Sequence, residues 1–196
     1  MKKGKGPTKR QKQAIQTRKR IYETAMRLMR ENGVANVTIA DIAEAAGVSV
    51  GAYYHYFESK DAIFFETYGI ADDFFLEEVI HSLTGKSIRD RIVQYFDYYA
   101  KFNMDQGLAH IQLLYNSRNK HFIDTSRFMI SAFRTMVHEG IVKGEIIVEW
   151  SADEITDYFF IVARGIVYDW CLHEASFDLT VKMHRLMEHL AFSITK

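Results

Sequence analysis

Apolar positions recur at helical spacing along most of the chain, broken by glycines and by Ser or Thr at points that suit helix ends. The first stripe, Ile21, Ala25, Leu28 and Met29, stops at Asn32-Gly33, a favourable C-terminal signal. Thr38 then precedes IADIAEAAG with Asp41 three residues on, the spacing of an N-cap and its capping-box partner. That pattern predicts a short helix with Ile42, Ala45 and Ala46 inward, ended by Gly47. Only Val48 separates Gly47 from Ser49, a second N-cap, which opens a helix carrying the run Tyr53-Tyr54-His55-Tyr56-Phe57. Two short helices joined by a glycine-containing turn of about three to four residues make a helix-turn-helix pattern. Ser59 caps a long helix beginning at Lys60-Asp61.

The remainder continues in helices. Ser87 with Asp90 opens one whose Ile88, Ile92, Tyr95, Phe96, Tyr99 and Phe102 face inward or line a space. A helix near 108–117 and a longer one near 122–143, stopped by Gly144, follow. GEIIVEW reads as a connection whose alternation also suits a short strand. Ser151 with Glu154 forms a capping box for helix 152–173, apolar almost all round, with Ala163 and Gly165 permitting close helix approach. Helix 178–194 carries Leu179, Met183, Leu186, Met187, Leu190 and Ile194 on one stripe. Core packing inside one protomer and pairing with a second copy both fit these last two helices.

Composition supports an all-α fold. Of 196 residues 48% are apolar, which excludes disorder over most of the length, and Pro7 is the sole proline. No secretory leader is expected, because the basic start lacks an apolar stretch. The most apolar segment, YFFIVARGIVYDWCL, contains Arg164 and Asp169 and falls short of a membrane span. The lone Cys171 rules out an internal disulfide and fits a reducing cytoplasm. Net charge is zero but uneven: residues 1–60 carry 12 Lys and Arg against 5 Asp and Glu, and residues 61–196 carry 13 against 20. The first twenty residues hold nine basic side chains and no acidic one, so a flexible basic arm is expected over 1–14, facing either a polyanion or only solvent.

Catalytic and metal chemistry find little support. His138-Glu139 and His173-Glu174 begin like a zinc-protease motif, but Val142 and Phe177 stand where the second histidine is needed. His184 and His189 are five apart, which puts them on different helix faces. Cys171 beside Trp170 in an apolar helix reads as a packed thiol. No catalytic residue, metal or cofactor is expected.

The aromatic run makes sense as a helix facing two ways. Tyr53 and Phe57 share a face suited to the core, while Val50, Gly51 and Tyr54 share the other, with Ala52 and His55 one step round. Gly51 costs such a helix about 1 kcal/mol against alanine, which is easier to understand if a backbone must come close to it. Tyrosine hydroxyls, His55 and Lys60 can all bond phosphate oxygens. The segment TIADIAEAAGVSVGAYYHYFESKDAI, through Thr38, Ile42-Ala43, Ala46-Gly47-Val48-Ser49, Gly51, Tyr54, Tyr56-Phe57 and Lys60, resembles the DNA-binding motif of the TetR family of bacterial transcriptional regulators. The resemblance covers residues 17–66.

That resemblance implies an N-terminal three-helix helix-turn-helix DNA-binding domain over 15–66 and a C-terminal helical ligand-binding and dimerisation domain over 67–196. By motif position, Thr38, Tyr54 and Lys60 would touch phosphates of double-stranded DNA, and Val50, Gly51, Ala52 and His55 would face bases or backbone. Ser49 at the helix head and Arg18 and Arg20 at the end of the arm complete this set. The tip lacks the Arg, Asn or Gln that reads base edges bidentately, so readout would lean on thymine methyls, Tyr54 and His55, with the arm adding minor-groove contacts.

For the body, the resemblance implies a small apolar or aromatic ligand, with Phe65, Tyr68, Phe96, Tyr99, Phe102, His110, Tyr115, Phe133 and Trp170 as candidate lining, each of which serves equally as core. It implies a cytoplasmic homodimer joined through Ile155, Phe159, Val162 and Ile166 with Met183, Leu186, Met187 and Leu190. The expected activity is that of a ligand-responsive repressor on a near-palindromic operator. The alternative is a small-molecule sensing module whose helix-turn-helix serves protein contacts.

Overall fold

The computed structural model describes residues 8–115 and 119–196. Among these the chain is all-α, its one extended pairing an isolated antiparallel bridge between Ile146 and Thr195. It divides into two compact units, one ending at Thr67 and one beginning at Tyr68.

The first unit holds α1 (Lys9–Asn32), α2 (Ile39–Ala45), α3 (Val50–Tyr56) and the start of α4 (Ala62–Phe74). Its core is Ile21, Tyr22, Ala25 and Met29 of α1, Ile42 and Ala43 of α2, Tyr53 and Phe57, and Ile63 of α4. Ala43, not Ala45, is the inward alanine of α2, because Ala45 sits on the solvent side. The expected arm over 1–14 is corrected over part of its length: α1 begins at Lys9. Thr8 caps it through a box in which its hydroxyl accepts from Gln11 N and the Gln11 side chain accepts from Thr8 N. Residues 1–7 lie outside the described residues.

The second unit contains α5 (Ile88–Gln106), α6 (Leu108–Leu114), α7 (Phe128–Val142), α8 (Ala152–Leu172) and α9 (Leu179–Ile194). Beyond Phe74, α4 loosens into a π turn over Phe75–Val79 and ends with Ile80–Ser82. The centre of the unit is aromatic: Phe96 lies 5.1 Å from Phe133 and stacks on Phe159 at 5.7 Å, and Tyr95 lies 4.7 Å from Phe75. Gly140 lets α7 press on α5, since a Cβ there would stand 2.7 Å from Ile88. The longer helix expected from 122 starts at Phe128. A short 3-10 turn over Lys120–Ile123 precedes it, Asp124 takes the Ser126 N–H and hydroxyl in a local turn, and α-helical geometry begins only after Arg127. GEIIVEW is the connection, tied at one end by Ile147 N to Ile194 O at 2.9 Å.

Candidate functional site

The helix-turn-helix is built by successive side-chain caps. Thr38 Oγ1 accepts from Asp41 N, while the Asp41 carboxylate accepts from Thr38 N at 2.8 Å and from its hydroxyl at 2.7 Å. These bonds hold the Asp41 carboxyl below its ordinary range. Gly47 takes φ +64, which favours glycine, and lets the chain reverse in two residues. Ser49 Oγ then accepts from Ala52 N at 3.1 Å and starts α3.

The two faces of α3 separate as the spacing requires. Tyr53 is fully buried, its hydroxyl donating to Ser59 O at 3.1 Å, and burial pushes its phenol up to about 12. Phe57 is buried beside it at a ring distance of 5.8 Å. Outward stand Val50, Gly51, Tyr54 and His55, with Ala52 half-buried; Tyr54 is 52% exposed and leans edge-on against Tyr53. Among the described residues, and outside the helix's own backbone and the adjoining residues, the atom nearest a Cβ placed on Gly51 is Ser49 Oγ at 3.9 Å. The protein's own packing therefore does not require glycine there.

Three members of the expected DNA-facing set have work inside the unit. Lys60 donates to Val34 O at 2.8 Å and Val37 O at 2.9 Å, fastening the turn between α1 and α2. Arg18 pairs with both oxygens of Glu66, the shortest contact 2.6 Å, and lies 5.1 Å over the Phe57 ring. Thr38 spends its hydroxyl proton on Asp41. Lys60 and Arg18 thus also anchor the domain's own structure, a role that spacing alone does not reveal. Arg20 is exposed on α1.

In the second unit the expected ligand set scatters. Phe96 and Phe133 belong to the aromatic core, and Trp170 donates from its indole to Phe177 O at 3.2 Å, pinning the loop before α9. Phe102 stacks on Phe74 at 5.6 Å, and His110 is buried on α6. Phe65 is exposed and belongs to the first unit.

Tyr68, Tyr99 and Tyr115 do assemble into a polar island. The Tyr99 and Tyr115 hydroxyls lie 2.8 Å apart, and Asn119 Nδ2 donates to the Tyr68 hydroxyl at 2.5 Å. Arg127, 4.4 Å over the Tyr68 ring, pairs with Asp72 at 3.2 Å. Burial pushes all three phenols up. Asn119, Arg127 and Asp72 were missed because isolated polar residues carry no periodic signal. A separate cleft of about 350 Å³ opens between the end of α4, α5 and α7.

The expected interface also divides. Ile155, Phe159, Ile166, Met183 and Met187 are buried within their own protomer, so they are corrected to core. Val162, Leu186 and Leu190 keep accessible surface. The exposed apolar face of α8 is instead Tyr158, Ile161, Tyr168 and Leu172, and α9 exposes Val181, Leu186 and Phe192. Among the described residues no helix is long and apolar enough to cross a membrane, and no cluster of His, Cys, Asp or Glu could hold a metal ion.

Residues 21–67 match the family described as "Bacterial regulatory proteins, tetR family". Over nearly its whole length the chain is similar to the "Probable acrEF/envCD operon repressor" of Escherichia coli (strain K12), 25% identical over 193 residues, 91% of this chain and 86% of that one. It is also similar to the "HTH-type transcriptional repressor BepR" of Brucella suis biovar 1 (strain 1330), 26% identical with 93% of each chain covered. Its fold matches that of the transcriptional regulator FadR from Bacillus subtilis in complex with stearoyl-CoA, at TM-score 0.71 and 19% identity over 88% of this chain and 96% of that one.

Proposed function

We propose that the chain is a DNA-binding transcriptional regulator of the tetR family of bacterial regulatory proteins and that it represses transcription as a homodimer on a near-palindromic operator. The observation that carries the reading is α3: one face is locked into the core by Tyr53 and Phe57, and the other offers Val50, Gly51, Tyr54 and His55 to solvent. Both similar proteins are named as repressors. Two copies of α3 would enter successive major grooves about 34 Å apart, matching half-sites one helical turn apart. The exposed apolar faces of α8 and α9 would supply the dimer contact.

The second unit would take a small, largely apolar ligand whose binding changes DNA affinity, which requires that the ligand favour one of two states. The Bacillus subtilis regulator was crystallised with stearoyl-CoA, which supports an amphipathic molecule here. The role is regulatory and not catalytic, and its place is the cytoplasm. A gel-shift titration with duplex from upstream of the chain's own gene tests the proposal. A retarded complex that survives excess non-specific DNA is expected. Failure of every such duplex to compete better than random sequence would favour a helix-turn-helix devoted to protein contacts.

A further inference from the structure

The cleft between the end of α4, α5 and α7 is lined by residues other than those of the tyrosine island, and its hydrogen-bonding groups are unevenly committed. Ile80, Leu83, Phe128, Ala132 and Met136 give it apolar walls. Its hydroxyls already spend their protons: Ser131 donates to Phe128 O at 3.0 Å, Thr135 to Ser131 O at 2.9 Å, and Tyr95 to Met129 O. Arg91 is the exception. Its side chain is only 21% exposed and, among the described residues, makes no hydrogen bond; it faces Glu139, 3.8 Å away and half exposed. A guanidinium offers five N–H donors in a planar fork that suits a carboxylate. We infer that this cleft binds a small amphipathic monocarboxylate, its apolar body between α5 and α7 and its carboxylate on Arg91, with Glu139 turned outward to solvent.

The volume sets the ligand's size. About 350 Å³ is at the low end of the range of about 300–1,000 Å³ for small-molecule pockets, so a medium-length chain or a single ring fits better than a long acyl chain. The sign of the head group follows from the inventory of donors. An ammonium would find Glu139 half exposed and Arg91 repelling it, while an alcohol would leave the guanidinium unmatched.

Calorimetric titration of the full chain with octanoate, octanol and octylamine tests the inference without DNA, so it succeeds or fails independently of the gel-shift outcome. One octanoate per chain is expected, at least about tenfold tighter than either analogue, because a charge-assisted fork is among the stronger polar contacts. Arg91→Met should lose about that factor. Ala132→Trp should abolish binding by filling the cleft, and Glu139→Gln should tighten it by removing the competing carboxylate. Thermal melts check that each variant is folded. Equal affinity for the three probes, preference for octylamine, unchanged octanoate affinity in folded Arg91→Met, or weaker binding in Glu139→Gln would overturn the assignment. The head-group series on the unmodified chain decides the matter if a variant fails to fold.

Discussion

A Cβ on Gly51 of α3 would meet only an ordinary contact with Ser49 Oγ at 3.9 Å, so a side chain there should affect folding and DNA binding with opposite signs. Gly51→Ala is expected to leave the melting temperature unchanged or raise stability by up to about 1 kcal/mol. The same change should weaken operator binding if a DNA backbone approaches that face, and unchanged gel-shift affinity would remove the reason given for the glycine. The tyrosine pair divides in a similar way. Tyr54→Phe should weaken all duplexes by a similar factor, about 1 kcal/mol, with the fold intact. Tyr53→Ala should cost the domain on the order of 3 kcal/mol in a denaturant titration. The division into a buried Tyr53 and an exposed Tyr54 was legible in the four-residue spacing of Tyr53 and Phe57. The tasks of Arg18 and Lys60 were not, because Glu66 lies 48 residues from Arg18, and Val34 O lies 26 from Lys60.

Helices in this chain were easiest to read where a cap marks their start. Thr38 with Asp41, Ser87 with Asp90 and Ser151 with Glu154 all form the boxes expected of them. Their hydrogen bonds lower the three carboxyls from their ordinary values. A carboxyl lowered in the folded state adds stability above its unfolded value of about 4, and that contribution is lost as pH falls through the folded value. Asp90→Asn and Glu154→Gln should therefore flatten the acid limb of the stability curve below about pH 4, and an unaltered limb would count against the caps as its source.

The start of α1 escaped notice because nothing apolar marks it; Thr8 and Gln11 do the work alone. Its first buried residue is Ile21, so deleting residues 1–12 should scarcely move the melting temperature. That deletion removes Lys2, Lys3, Lys5, Lys9, Arg10 and Lys12. If half of these touch phosphates, the slope of log affinity against log salt should fall by roughly 3 per subunit. Identical slopes would leave the basic segment without a role on DNA.

At the scale of the whole molecule the issue is which apolar surface is spare. α8 is apolar on opposite sides, so the sequence could not tell the side that fills its own core from the side left for another copy; only packing against α7 and α9 decides. Ile161 is 60% exposed whereas Ile166 is buried, and charge at the two positions should act differently. Ile161→Glu should give a folded monomer by sedimentation that no longer binds the operator. Ile166→Glu should unfold the body, because an unpaired carboxylate would be forced into the core. A stable monomer of the unmodified chain at micromolar concentration would sink the dimer itself.

Cys171 has a use in measuring the two recognition helices. It is the only thiol in the chain, and burial pushes it up to about 11. Near neutral pH about one molecule in ten thousand then carries the thiolate that reacts with alkylating labels. A cysteine placed at Ala52, half-buried near the tip of α3, would have a more ordinary acidity and react far sooner. Brief labelling would therefore mark that tip alone, and a pair of spin labels there would report the separation of the two helices, with and without octanoate, against a silent native background.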